Sequence, residues 1–195
     1  MQSELEYIVE RTFNSVTVDG DTSTNDTAIL LANGASEVRV DETNVEQFRA
    51  LLETVCTRLA REVARDGEGA TKIITIRVLR ARDEVDAKKV ALTIANSPLV
   101  KTALFGNDPN WGRIAAAAGR SGANFDSQNL QIKLGPVEVF KNGEPTNFDL
   151  SQAETVLKNE EVEIEVSLGA GEKNWTAWTC DFSYDYVKIN AEYHT

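Results

Sequence analysis

Residues 161–168 alternate strictly between polar and apolar side chains, and this pattern constrains the fold more than any other in the chain. Glutamates occupy positions 161, 163 and 165, and the positions between and after them hold Val162, Ile164, Val166 and Leu168. Successive side chains of a β-strand point to opposite faces, so this strand has one buried face and one wet face. Such strands are typical of an antiparallel sheet with helices on one side. The pattern therefore predicts α+β layers.

Helical spacing and alternation place further elements along the chain. The predicted helices are an opening helix ending near Asn14, a long helix from a Thr43/Glu46 capping box to Asp66-Gly67, a helix over residues 87–94 that stops at Ser97-Pro98, a short helix that Asp108 and Pro109 begin and Gly119 ends, and a helix capped by Asp149. The predicted strands are residues 16–18, 74–78, 130–134, 137–139 and 178–182, with an apolar segment at 29–31 and a turn at Asn142-Gly143. Residues 184–195 are expected to form a tail.

These elements predict a layered mixed or antiparallel sheet with packed helices. We expect one compact unit over residues 1–195, with a subdivision near residues 120–130 as the alternative.

Composition excludes several classes of function. The chain has 20 lysines and arginines against 31 aspartates and glutamates, a net charge of −11. Nucleic acids and anionic membranes require a positive surface, so neither is an expected partner. The single histidine, His194, and two distant cysteines, Cys56 and Cys180, predict neither a zinc site nor a disulfide framework. No apolar run is long enough to span a membrane, and the acidic start is not a signal peptide; we expect a cytoplasmic protein, or an organellar one in a eukaryote.

The first polar constellation, Asp19–Asp26, follows a β-like run. Two carboxylates on a turn suit Mg²⁺, so Asp19 and Asp21 allow a magnesium-dependent phosphatase. Ser23 departs from the residue types usual in such enzymes, and Thr24 stands where an EF-hand requires glycine. The competing interpretation is a turn whose short side chains bond to their own backbone.

The second constellation, Asp66–Lys72, runs from a helix into a strand. A phosphate-binding loop runs from a strand into a helix and needs a Gly-Lys-Ser/Thr order that is missing here. Gly67 is explained as the end of the preceding helix. Glu68, between two glycines, is either a carboxylate that a tight loop presents to an ammonium group or part of a solvated loop.

The third constellation, Phe105–Arg113, predicts the start of a capped helix with Trp111 packed in the core. Anion binding at that helix N-terminus is the alternative.

Taken together, these segments and the C-terminal run Tyr184–Ala191 resemble the ornithine acetyltransferase family, the bifunctional glutamate N-acetyltransferases of arginine biosynthesis. The likeness covers residues 10–195 in the family's order and is to the C-terminal, or β, chain of that enzyme. The resemblance implies the α+β fold of that β chain. It also implies that Glu68, Asn190 and Thr195 bind the substrate.

The resemblance further implies a precursor that cleaves itself before a threonine, which becomes the N-terminal nucleophile. That mechanism needs no histidine, because the threonine is activated by its own terminal amine. Residues 1–195 contain no Ala-Thr-Met-Leu-like cleavage motif, and the family's oxyanion hole belongs to the other, α, chain. We therefore expect no catalytic residue in this chain, no metal, and no activity from the chain alone.

The expected partners are the α chain, in an α–β hetero-oligomer, and the substrates N-acetylornithine, ornithine and glutamate. No cofactor is expected, with acetyl-CoA as an alternative acetyl donor. Two other interpretations stay open: a catalytically incomplete scaffold that retains the fold, and the phosphatase that uses Asp19 and Asp21.

Overall fold

The sheet predicted from the alternating segment is present. A computed structural model describes residues 1–193. Its strands are β1 (Ile73–Ala81), β2 (Gln131–Leu134), β3 (Val137–Lys141), β4 (Glu144–Pro145), β5 (Glu161–Ser167) and β6 (Lys173–Cys180). They form one six-stranded sheet in the order β4-β3-β2-β5-β1-β6. Only β1 and β5 are parallel neighbours, and the other neighbouring pairs within residues 1–193 are antiparallel. The predicted mixed sheet is confirmed.

The helices are distributed over both faces of this sheet. They are α1 (Gln2–Arg11), α2 (Val45–Arg65), α3 (Glu84–Ala95), α4 (Pro98–Phe105), α5 (Trp111–Gly119), α6 (Leu150–Leu157) and α7 (Tyr184–Glu192). Helices α3–α6 bury their apolar sides against the isoleucine and valine face of β1, β5 and β2, which forms the main core. A smaller cluster joins α2 to the opposite face through Ala60, Ala64, Ile73 and Trp178.

Local signals placed several elements correctly. The Asp149 side chain accepts hydrogen bonds from the Ser151 and Gln152 amides, 2.9 and 3.2 Å long, and so caps α6 as predicted. The Asn142-Gly143 turn is also confirmed: both residues have positive φ, 54° and 78°, as the tight turn between β3 and β4 requires. The long helix α2 ends at Asp66-Gly67 as expected.

Two predicted helix starts are wrong. The Thr43/Glu46 capping box does not form, because the Thr43 hydroxyl donates to Asp41 and the helix begins after Asn44. Helix α5 begins after Asn110 rather than at Asp108 and Pro109. There the Asp108 carboxylate accepts from the Asn110 side-chain amide, and the Asn110 oxygen caps the helix.

Three segments differ from the sequence-based expectation in element type. Residues 16–18 form no strand, only a single bridge between Val16 and Trp178. The Ser97-Pro98 pair ends α3 but also begins the unpredicted helix α4, with Ser97 as its cap and proline in its first turn. The expected tail contains helix α7, capped by Ser183.

A long connection between α1 and α2 leaves apolar side chains in solvent. From Thr17 to Asn44 the described chain forms neither helix nor strand. Ile29, Leu31 and Val38 in this connection are 73%, 88% and 69% exposed. Among the helices of residues 1–193, none is both long and apolar enough to cross a membrane.

Candidate functional site

Glu68 projects from the tight loop 66–72 that joins α2 to β1, and a buried carboxylate holds this loop in place. Asp181, directly after β6, is 1% exposed. Its carboxylate accepts hydrogen bonds from the amides of Thr71 and Lys72, 2.8 and 3.0 Å long, and from the Thr71 hydroxyl. Three donors to one carboxylate compensate for its removal from water. The loop is therefore attached to the end of β6, and Glu68 stands exposed above it.

The same loop is pressed against the start of α7. Gly69 has φ +66°, and a Cβ built on it would lie 2.5 Å from the Tyr186 amide nitrogen. The Ser183 hydroxyl, which caps α7, donates to the Gly69 carbonyl. Only glycine fits both the backbone conformation and the close approach. This explains the second of the two glycines that flank Glu68.

This packing brings Glu68 and Asn190 together. The Asn190 side-chain amide donates to the Glu68 carboxylate at 2.6 Å and to the Tyr186 carbonyl at 3.0 Å. Asn190 lies one helical turn after Tyr186, so both of its contacts follow from the position of α7. Thr195, the third residue predicted to bind substrate, lies outside the described residues, as does His194.

Asp19 joins this group through Tyr186. The Tyr186 hydroxyl donates to the Asp19 carboxylate at 2.9 Å. Burial, followed by this hydrogen bond and by the charges of Asp19, Glu68 and Asp21, raises the pKa of Tyr186 to about 12. One carboxylate thus contacts the phenol and the charges of two others act on it, which makes a locally negative, solvent-accessible site suited to an ammonium group.

The Asp19 segment has the geometry of a self-bonded turn. The Asp21 amide donates to the Asp19 carboxylate at 3.0 Å, and the Gly20 amide donates to the Thr17 hydroxyl at 3.1 Å. Within residues 1–193, no group of three or more histidine, cysteine, aspartate or glutamate side chains is arranged to hold a metal ion. The self-bonded turn that the sequence offers as the competing interpretation is present in this segment.

The third constellation lies apart from these carboxylates. Trp111 stacks on Phe140, with ring centroids 5.1 Å apart, and packs against the main core. The Arg113 guanidinium donates to the Leu99 carbonyl at 2.8 Å, which ties α5 to α4. The segment is a capped helix start, as the sequence favoured.

Sequence reasoning missed Asp181, Ser183 and Tyr186. Ser183 as the cap and Asp185 in the first turn are helix-start signals from which α7 could have been predicted. The contacts of Asp181 with Thr71 and of Tyr186 with Asp19 join residues 110 and 167 positions apart, and no local pattern predicts such pairs.

Comparison with known proteins places the chain among related sequences. The family model described as "ArgJ family" matches residues 1–195. Arginine biosynthesis bifunctional protein ArgJ 1 from Nostoc sp. is 51% identical and is matched over all of this chain and 50% of its own length. Glutamate N-acetyltransferase from Methanopyrus kandleri is 48% identical over 100% of this chain and 51% of its own length. The chain therefore spans about half the length of these curated relatives.

A solved structure shares the fold. The crystal structure of arginine biosynthesis bifunctional protein argJ from Bacillus halodurans superposes with a TM-score of 0.95 at 43% identity. That match covers 98% of this chain and 92% of the solved chain. The resemblance read from the motifs, and the α+β fold that it implied, are confirmed.

The close approach at Gly69 can be tested with a second glycine as the control. Gly34 also has positive φ, +74°, but nothing lies within 4 Å of a Cβ built on it. Gly34→Ala should cost about 1–2 kcal/mol of unfolding free energy, the strain of a left-handed residue. Gly69→Ala should cost a further ~1–3 kcal/mol, because its methyl group must displace α7. Denaturant unfolding of both variants measures the difference, and equal losses would contradict the close packing.

The Asp19–Tyr186 hydrogen bond predicts how the phenol titrates. The Tyr186 pKa of about 12 should move toward 10 in Asp19→Asn, which removes the largest charge acting on the hydroxyl. Because the folded-state pKa is raised, the folded protein keeps a proton that the unfolded chain loses, and stability should fall as pH rises from about 10 to 12. Ultraviolet titration against Tyr186→Phe isolates this tyrosine. An unchanged titration in Asp19→Asn would disprove the contact.

Proposed function

The chain belongs to the ArgJ family, and on that premise we propose that it is the substrate-binding half of an acetyltransferase of arginine biosynthesis. The proposed reaction moves an acetyl group from N²-acetylornithine to glutamate. The contact between Glu68 and Asn190 is the observation that carries the proposal. These two residues are 122 positions apart in sequence and are the ones that the family resemblance assigns to substrate binding.

The chemistry of the site suits the proposed donor. N²-acetylornithine carries an ammonium group on its side chain, and Glu68 offers an exposed carboxylate to it. A charge-assisted hydrogen bond of this kind is about twice as strong as a neutral one. The nearby charges of Asp19 and Asp21 add to the attraction for a cation.

We propose that the reacting hydroxyl is supplied by a threonine outside residues 1–195. The threonine oxygen attacks the acetyl carbonyl, the amide C–N bond breaks, and the threonine proton passes through the terminal amine to the departing ornithine nitrogen. The glutamate amine then attacks the carbonyl of the acetyl-threonine, the ester C–O bond breaks, and the amine proton passes to the threonine oxygen, which restores the hydroxyl. With nucleophile and oxyanion donors elsewhere, this chain alone should form no acetyl-enzyme. No cofactor takes part in this scheme, and acetyl-CoA is the alternative acetyl donor.

A scaffold that retains the fold without activity is the competing function. The Glu68–Asn190 pair favours the enzyme, because a scaffold has no need for an exposed carboxylate held by a buried aspartate and two glycines. The cytoplasmic or organellar setting expected from the sequence fits the two buried free thiols, Cys56 and Cys180.

We also propose that the missing half of the family precursor docks on α2 and the connection before it. Curated relatives are twice as long as this chain, whereas the solved Bacillus halodurans chain is matched over 92% of its length. Polypeptides of both lengths therefore occur among the relatives, as expected for a precursor that is cut in two. A large share of the exposed apolar side chains falls within residues 29–63, namely Ile29, Leu31, Val38, Leu51, Val55, Leu59 and Val63. Leu51, Val55, Leu59 and Val63 recur every four residues along α2 and so form one exposed apolar stripe, as interaction surfaces do.

Glu68→Gln tests the substrate site in the two-chain enzyme. The amide nearly preserves the shape but removes the charge, so binding of N-acetylornithine should weaken by about 1.5–3 kcal/mol. This corresponds to a rise in KM of roughly ten- to hundredfold. Steady-state kinetics with N-acetylornithine and glutamate measure the effect.

Glu172→Gln is the matched control. It makes the same exchange at an exposed position in the connection between β5 and β6, outside the Glu68 loop, and should leave KM at the parent value. A KM for N-acetylornithine in Glu68→Gln equal to the parent value would favour the interpretation that Glu68 is part of a solvated loop. An intact two-chain protein that transfers no acetyl group would favour the scaffold instead.

The docking surface can be tested by changing Leu51, Val55 and Leu59 to serine together. Each side chain is more than half exposed, so the folded chain should keep its stability. Loss of about 1 kcal/mol of apolar burial for each should weaken association with the N-terminal half by more than about hundredfold. Co-purification and titration with that half measure the loss.

Val85→Ser, at an apolar position of α3 that is 63% exposed, is the control and should bind as the parent does. The proposed docking surface would be contradicted if the triple variant bound the N-terminal half as tightly as the parent does. It would also be contradicted if the parent chain bound itself in place of the N-terminal half.

A further inference from the structure

Lys101 on α4 is a buried charge that the proposed reaction does not use. It is 1% exposed and is one of the largest fully buried side chains in the described structure. Its ammonium donates to the Thr179 hydroxyl at 2.7 Å and to the Cys180 carbonyl, and it lies 3.7 Å from the Cys180 sulfur. Burial lowers the pKa of Lys101, and Cys180 and Asp181 oppose this shift. A buried ammonium held by neutral acceptors is costly, so its contacts require an explanation.

The first set of contacts leads to the Glu68 loop. The carbonyl that receives the ammonium belongs to Cys180, the residue next to Asp181, whose carboxylate binds the Thr71 and Lys72 amides. The Cys180 sulfur would lie only 2.9 Å from a Cβ on Gly67, the residue before Glu68. Lys101 thus fixes the strand end against which the loop is packed.

The second set of contacts leads to α7. The Lys101 ammonium lies over the Phe182 ring, 4.9 Å from its centroid, and the Lys101 carbonyl accepts from the Phe182 amide at 3.3 Å. The Phe182 ring stacks on Tyr186, with centroids 4.5 Å apart and planes 23° apart. The ammonium over the Phe182 ring and the Tyr186 ring stacked on it together restrict the position of both aromatic side chains.

Both sets of contacts converge on the same substrate groups. Tyr186 bonds Asp19 through its hydroxyl and Asn190 through its carbonyl, and Asn190 bonds Glu68. We propose that Lys101 is a positioning residue for the acetylornithine site: it sets the distance between the Glu68 loop and α7, and so the geometry of the Glu68–Asn190 pair. This inference rests on the function proposed above. Lys101 itself touches no substrate in this scheme.

A purely structural role is the alternative, and Lys101→Met distinguishes the two. Methionine has a similar length and fills the space, but it gives no hydrogen bond to Cys180 and no cation to Phe182. Val139→Ala is the control, because Val139 is fully buried in β3, three strands away from β1 across the sheet. Its loss destabilises the core without touching the loop or α7.

Amide hydrogen exchange of the complete two-chain protein tests the positioning without any assay of activity. In Lys101→Met, segments 67–72 and 183–190 should exchange about tenfold faster relative to the rest of the chain. In Val139→Ala these two segments should change no more than the remainder. A uniform change in Lys101→Met would make the lysine structural only and overturn the proposal.

Kinetics test whether this positioning serves the reaction. Lys101→Met should raise KM for N-acetylornithine about tenfold, as small misplacements of binding groups do, and leave kcat within about threefold. Phe182→Leu breaks only the contacts that lead to α7 and should also raise KM, by up to about tenfold. The double variant should stay well below the product of the two single changes, because Lys101 and Phe182 share the contacts that lead to α7. A roughly hundredfold, additive rise would show that Lys101 does not act through Phe182 and would overturn the proposal.

Two further outcomes are also decisive. Should Lys101→Met fail to fold, Phe182→Leu alone must raise KM and the exchange of segment 183–190, and parent values for both would overturn the proposal. A parent protein that transfers no acetyl group would refute the proposed function. The hydrogen-exchange comparison between Lys101→Met and Val139→Ala would still decide whether Lys101 positions the two segments.

Discussion

The buried Asp181 carboxylate is the interaction on which the candidate site depends. It stands at the end of β6 and receives two backbone amides and a hydroxyl from the loop that begins β1. A carboxylate without these donors could not stay in a 1% exposed position. The donors, in turn, belong to a loop that has no secondary structure of its own to satisfy them. Each side therefore stabilises the other, and the loop that carries Glu68 becomes a fixed part of the sheet.

Once the loop is fixed, the remaining contacts follow from its shape. Gly69 allows α7 to approach within a distance that no other residue permits, and this approach places Asn190 over Glu68. Within the described chain Tyr186 is half-buried, but helix α7 has no fully buried side chain. Its position depends instead on the Ser183 cap and on the stacking of Tyr186 against Phe182. A helix with so little apolar burial has its stability set by a few specific contacts rather than by a core.

This also explains which parts of the structure the sequence could predict. The alternation in β5, the Asp149 cap and the Asn142-Gly143 turn depend on neighbouring residues, and all three are present as predicted. Helix α7 has no fully buried side chain in the described structure, so its apolar residues give no helical pattern and the sequence predicts only a tail there. Glu68 and Asn190 were associated only through a family resemblance. Their contact depends on tertiary packing, which spacing along the chain does not encode.

Helix α2 is a second example of what a sequence pattern predicts and what it does not. Its apolar residues keep helical spacing, which predicts the helix but not the face that it buries. In the structure the small residues Cys56, Ala60 and Ala64 face the sheet, while Leu51, Val55 and Leu59 face solvent. Small side chains allow the helix to lie close to Ile73 and Trp178. The exposed stripe lies about 100° around the helix from the buried one, so α2 carries a second, adjacent apolar face that the described chain leaves in solvent. The exposed apolar side chains of α2 are thus the observation on which the proposed docking surface rests.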